Sequence, residues 1–165
     1  MSTLLSNFQL DENTNTVKII RQFEAEQSLV WDAFTTQEIL DQWWAPKPFE
    51  SKTKVMDFSE GGRRFYAMVS PERQEHYSLQ LYTSISPISN FKYTSVFADK
   101  DQNPFWPGSE WDFTFSEEND LTTVVITIYN ESKERMLQMI EMGFKEGITA
   151  TLDYLVTWLK DQKNR

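Results

Sequence analysis

The sequence predicts an α+β domain in which an antiparallel sheet of about six or seven strands is covered on one face by a long C-terminal helix. Three observations carry that reading. Between Glu50 and Asn130 turn-forming segments recur about every 10–15 residues, with connections too short for parallel crossovers. After Ser132 the apolar period changes from two to that of a helix. Finally, 24 aromatic side chains (Phe 12, Trp 6, Tyr 6) make up 15% of the chain, and each can bury about 150–250 Å². An interior that wide is either a thick core or a lined pocket.

Residues 1–14 carry no period and are expected to be a polar lead-in, with the core spanning about residues 16–160 of a single domain. From Thr16 to Phe23, Val17, Ile19 and Phe23 alternate with Lys18 and Gln22, the pattern of a half-buried strand. Ser28 is the expected N-cap of a short helix carrying Val30, Trp31 and Phe34. Thr35-Thr-Gln-Glu38 fits a capping box opening a second short helix with Ile39, Leu40, Trp43 and Trp44, which Ala45-Pro-Lys-Pro48 then stops. The strands that follow are separated by Gly61-Gly62, Ser70–Gln74, Ser86–Asn90, Asp99–Pro104 and Glu117–Asp120. Leu79, Leu81 and Ile85 alternate with Gln80 and Ser84, and Trp111, Phe113 and Phe115 with Asp112 and Thr114, so one face of the sheet is apolar. In the last segment Ser132 is the expected N-cap, Glu134 suits the first turn, and Lys160, Lys163 and Arg165 suit the last. A continuous helix there is about 45 Å long, with Gly143 and Gly147 inside it at up to ~1 kcal/mol each.

Val30-Trp-Asp-Ala-Phe-Thr35 followed by Leu40-Asp-Gln-Trp43-Trp44-Ala-Pro46 resembles the signature of one branch of the START-like (SRPBCC, Bet-v-allergen-like) superfamily. That branch is related to the C-terminal domain of the activator of heat-shock-protein-90 ATPase. Gly61-Gly62 before an aromatic strand, Gly108-Ser-Glu-Trp111, and Glu141-Met-Gly-Phe144 before Gly147 are similar to the same branch, and the likeness spans about residues 16–160. The resemblance implies a helix-grip fold: the sheet curves around the C-terminal helix and encloses a cavity whose mouth is edged by the two short helices. The wall residues it implies come from several segments. Trp43, Trp44 and Phe49 belong to the second short helix and its exit. Met56, Phe65, Met68 and Leu79 lie on the first strands, Tyr93, Phe97, Trp111 and Phe113 on the later ones, and Met136, Ile140 and Phe144 on the long helix.

Composition excludes several chemistries. With 25 acidic against 16 basic residues the formal charge is −9, unsuited to nucleic acid or an anionic membrane face. Cysteine is absent, which removes disulfides, thiolate nucleophiles and Cys-held metals. The N-terminus lacks the regions of a signal peptide and no segment approaches 18 apolar residues, so a cytoplasmic protein without membrane insertion is expected. No catalytic residue, metal site or cofactor is assigned.

Individual residues carry two readings each. Trp43 and Trp44 point about 100° apart on a helix, so at most one faces the cavity squarely while the other anchors the helix. His76 reads first as a surface hairpin residue and second as a general base. Asp57, Glu110 and Asp112 read as solvated, the alternative being a carboxylate desolvated inside the cavity. Arg63 and Arg64 read as a surface pair, unless one reaches inward to fork onto the acidic head of a ligand. Met136, Met139 and Met142 suit either an adaptable pocket or plain core filling. Phe105-Trp106, between two prolines, is either a lid over the mouth or an exposed partner patch.

The leading functional expectation is a module that binds a hydrophobic or amphipathic small molecule, with a cavity above about 300 Å³ as its structural signature. The alternative is a co-chaperone-like interaction domain, with a chaperone or a second copy of the chain as partner. The third is cyclase-, hydratase- or hydrolase-type chemistry in the same pocket.

Overall fold

The structure is a computed structural model that describes residues 4–164; Met1–Thr3 and Arg165, the last of the expected C-terminal cations, lie outside the described residues. Eight strands form one antiparallel sheet: β1 (Ser6–Asp11), β2 (Thr16–Phe23), β3 (Glu50–Met56), β4 (Arg63–Val69), β5 (Glu75–Ser86), β6 (Asn90–Ala98), β7 (Ser109–Glu118) and β8 (Leu121–Tyr129). Their order is β1-β2-β8-β7-β6-β5-β4-β3. The meander from β3 to β8 therefore closes on β2, where Ile19 pairs with Ile126 and Val17 with Ile128. Helices α1 (Gln27–Thr35) and α2 (Gln37–Trp43) bridge β2 and β3, the two strands at opposite ends of that meander. The C-terminal segment supplies α3 (Lys133–Glu141) and α4 (Phe144–Lys163).

The helix-grip α+β class is as predicted, with more strands than expected. The additional one is β1, inside the supposed lead-in: it pairs residue for residue with β2 from Ser6↔Arg21 to Asp11↔Thr16. An edge strand needs only one neighbour, and all of β1 but half-buried Phe8 is exposed, so it carries no alternation to read. Phe8 meets the Phe144 ring at 6.3 Å.

The core lies between α4 and the concave sheet face. Ile148, Leu152, Leu155 and Leu159 of α4 are buried with Val17 and Ile19 of β2, Val124, Ile126 and Ile128 of β8, and the rings of β6 and β7. Arg21, on the same face of β2, is ion-paired with Asp153 of α4.

Helix ends differ from expectation in three places. α1 starts at N-cap Glu26, with Ser28 already inside the helix, and no side chain caps it. The capping box does not form: Thr36 is the N-cap of α2, while the Thr35 hydroxyl donates back to the Trp31 carbonyl at 2.8 Å. The long C-terminal helix is broken in two. Met142 N–H still reaches the Gln138 carbonyl, but Gly143 turns left-handed at φ 93° and begins α4. That φ suits glycine, because a Cβ would crowd the backbone. The remaining 20 residues of α4 span about 30 Å. At the other end Ser132 does cap, its hydroxyl accepting from Arg135 N–H at 3.2 Å.

Candidate functional site: a buried guanidinium under the double-tryptophan helix

Gly62 sets the start of β4. A Cβ there would lie 2.3 Å from the Asp57 carbonyl oxygen, so only glycine allows the chain to close this turn. From it β4 alternates: Arg64, Tyr66 and Met68 point to the concave side, Phe65, Ala67 and Val69 to the convex side. Register extends the concave face across β5 and β6, with Arg64 opposite Gln80, Tyr66 opposite Ser78 and Met68 opposite His76, then Gln80 opposite Ser95 and Ser78 opposite Phe97.

Arg64 is fully buried. One edge of its guanidinium is committed to the β3 side: Nε donates to the Thr53 hydroxyl at 3.0 Å and NH2 to the Ser51 hydroxyl at 2.8 Å. NH2 also meets Asp41 Oδ1 of α2 at 3.4 Å. Asp41 itself is occupied by shorter bonds, accepting from the Ser51 hydroxyl at 2.9 Å, the Thr53 hydroxyl at 2.8 Å and the Thr53 N–H at 3.0 Å. The guanidinium lies 4.0 Å above the Tyr66 ring. Its NH1 faces inward and has one long bond, 3.4 Å to Gln80 Oε1. Gln80 Nε2 in turn donates to the Tyr93 hydroxyl at 3.2 Å.

Trp44 Nε1 donates to the Tyr66 hydroxyl at 3.2 Å, which ties the end of α2 to the same cluster. Burial pushes the Tyr93 hydroxyl well above the usual phenol range and raises that of Tyr82, against the opposing pull of the Arg64 charge. Both phenols therefore keep their protons at physiological pH. Arg64, Gln80, Tyr93 and Trp44 border a void of about 10 Å³, lined also by Phe34, Leu40, Phe91 and Phe113. A space of that size holds about one water. The expected interior cavity above about 300 Å³ is therefore not found at this site, because the rings fill it: Phe91 stacks on Phe113 at 4.5 Å, Tyr93 on Trp111 at 5.8 Å, and Trp44 tilts onto Trp111 at 6.2 Å.

The family of activator of Hsp90 ATPase homolog 1-like proteins matches residues 24–160, from just after β2 through most of α4. The chain belongs to that family. As an activator-homolog-like chain it is similar throughout its length to solved structures. Protein Ms6760 from Mycobacterium smegmatis superposes with a TM-score of 0.88 at 24% identity, covering 97% of this chain and 99% of that one. A protein from Staphylococcus epidermidis gives 0.83 at 26% identity, covering 93% and 94%. A protein from Arthrobacter aurescens gives 0.88 at 22%, covering 94% and 91%. Among curated proteins none matches the chain.

Within this activator-homolog-like fold the predicted wall residues separate into groups. Trp44, Tyr93 and Phe113 line the void. Trp43 is the structural member of its pair: 2% exposed, it donates from Nε1 to the Ala33 carbonyl at 3.0 Å and joins α2 to α1. Trp111 and Met136 are buried in the same core, with Phe144 edge-on to Trp111 at 6.0 Å. Phe49, Met56, Met68 and Ile140 are half-buried. Three assignments are corrected. Phe65 and Leu79 lie on the convex face, in a separate cluster with Val96 and Ala98. Phe97 is on the concave face but beyond its covered part, 66% exposed. β4 is apolar on both faces, and on β5 the alternating apolar residues Tyr77, Leu79 and Leu81 mark the convex side while the concave side carries His76, Ser78 and Gln80, so alternation there points the wrong way.

The remaining candidates also resolve. Arg64 is the inward member of its pair and Arg63 is exposed. His76, Asp57 and Glu110 are exposed, and Asp112 accepts from Asn90 Nδ2 at 2.7 Å. Met136 is core, Met139 half-buried, and Met142 79% exposed. Phe105 and Trp106 are exposed at 57% and 59%, a surface patch. Gln80 and Asp41 were not singled out from sequence. Gln80 between two leucines reads as the solvent face of its strand, and the only available signal was its cross-strand pairing with Arg64. Among the described residues no helix is long and apolar enough to cross a membrane, and no group of His, Asp or Glu is arranged to hold a metal.

Proposed function

We propose that the chain is a single-domain binding module for an amphipathic small molecule, taken up between the concave sheet face and the helices that cover it. One observation carries the reading: a fully buried guanidinium, an amide and a phenol converge on a void otherwise walled by aromatic rings and Leu40. Buried polar groups are costly unless each has a partner, and few convergent polar groups in an apolar wall are the marks of a ligand site. The ligand needs more room than the void gives, so uptake requires the cover to move. That cover is Phe34 of α1 with Leu40 and the C-cap Trp44 of α2, so it is the two short helices that must shift away from the sheet. The concave face beyond Tyr66 and Tyr93 is floored by half-buried Ser78 and Ser95 and rimmed by Met68 and exposed Phe97, which makes it the approach.

Native mass spectrometry with a panel of aliphatic and aromatic amphiphiles tests this, together with displacement of an environment-sensitive dye. One-to-one complexes at micromolar ligand are expected. Absence of any complex at millimolar ligand across the panel would overturn the reading.

Exposed Phe97, Phe105 and Trp106 support a second reading, a docking surface for a chaperone, in keeping with the family's description. Stimulation of chaperone ATPase turnover by the purified chain, lost in Phe105→Ser/Trp106→Ser, would favour it over the first.

A further inference from the structure

Resting on that binding role, we infer that the ligand's buried end is a planar oxyanion, a carboxylate on an aromatic body, received by Arg64 NH1, Gln80 and Tyr93. Arg64 is a buried cation with an incomplete complement. Its ion-pair partner among the described residues, Asp41, stands at 3.4 Å and gives its shorter bonds to Ser51 and Thr53. Asp41 is also the outer member, its side chain 25% exposed against none for Arg64. The charge is therefore compensated on one edge, towards β3 and α2, and faces the ring-lined void on the other. A guanidinium has five donors arranged as a fork that matches a carboxylate. Four donor contacts are made here, and the NH1 one, at 3.4 Å to a neutral amide, is easily exchanged for a charged acceptor.

The neighbours fit the same ligand. The Tyr93 hydroxyl accepts from Gln80 and keeps its own proton to donate, and burial holds it neutral. Trp44, Phe34, Phe91 and Phe113 present rings to the body of the molecule. A cationic head would meet Arg64 itself, and an uncharged one would leave its inner edge as it stands.

The test compares 1-naphthoate with 1-naphthylmethanol, which share a ring system and differ in the head. Wild type is expected to bind naphthoate at least about tenfold more tightly, and the preference is expected to persist from 50 to 500 mM NaCl because a buried pair is weakly screened. In Arg64→Met the preference should vanish, the two probes binding alike. In wild type labelled at arginine, the Arg64 Nε–Hε resonance should move with naphthoate and not with naphthylmethanol, a readout that needs no variant and survives if Arg64→Met fails to fold. Equal affinity for the two probes, or a preference that collapses with salt, overturns the anion assignment and leaves the binding role intact. Binding of neither overturns both.

Discussion

Asp41 and Arg64 are not equal partners, and truncating each should show it. Asp41→Ala removes the acceptor of the Ser51 hydroxyl, the Thr53 hydroxyl and the Thr53 N–H, and strands a guanidinium with no solvent exposure. An uncompensated buried charge costs about 3–5 kcal/mol. For a chain of this length each kcal/mol moves Tm by about 2–4 °C, so a fall of roughly 6–20 °C is expected. Arg64→Met removes the charge instead. Asp41 keeps its three shorter bonds and is partly solvated, Ser51 and Thr53 keep theirs to Asp41, and a thioether replaces the guanidinium over the Tyr66 ring. Exchange of a buried ion for an apolar group of similar size is often close to neutral, so a loss of at most about 1–2 kcal/mol is expected. Urea unfolding at constant m-value measures both. Equal losses would mean that the pair acts as one structural salt bridge, and the argument for an under-compensated cation would fail.

Gly143→Ala should destabilise by about 1–2 kcal/mol from its left-handed backbone alone, since nothing lies within 4 Å of the new Cβ. Gly147→Ala should instead stabilise by about 0.5–1 kcal/mol, its Cβ meeting Pro46 Cγ at an ordinary 3.8 Å; thermal melts separate the two signs. Tyr82 and Tyr93 hold their protons more tightly folded than unfolded. Above about pH 10 the unfolded chain releases protons that the native chain retains, so stability is full below that pH and falls above it, by up to about 1.4 kcal/mol per unit per tyrosine. Urea midpoints from pH 8 to 11 should show this slope, flattened in Tyr82→Phe/Tyr93→Phe. Trp43→Ala should cost about 3–5 kcal/mol, whereas Phe97→Ser and Trp106→Ser should stay within about 0.5 kcal/mol in the same denaturation series.

The fold was legible because its signals are local and repeated: turns at regular spacing, alternation in β2 and β7, a helical stripe after Ser132. Where the signal was weak or the residue double-sided, the reading failed. β1 is held by backbone pairing at an edge and carries almost no buried side chain. The break at Gly143 leaves the apolar stripe on either side in phase, so periodicity alone ran the helix through it. For the site, the angle between Trp43 and Trp44 allowed at most one of them to face inward; Trp43 bonds to the Ala33 carbonyl and Trp44 borders the void. Phe65 and Leu79 were assigned inward because β4 is apolar on both sides and the apolar face of β5 is the convex one. Arg64 and Gln80 are the reverse case. Polar residues in apolar strands read as the wet face, and only their mutual register across β4 and β5 marks them as a buried pair.

Where a ligand sits can be observed directly through the methionine methyl groups, which among the described residues sample the interior, the approach and the surface. Titration of methyl-labelled protein with 1-naphthoate should shift buried Met136 and half-buried Met68 and leave Met142, 79% exposed, unmoved. Shifts confined to Met142, or none while binding is saturated, would place the ligand outside the grip of sheet and helix and contradict an interior site at Arg64.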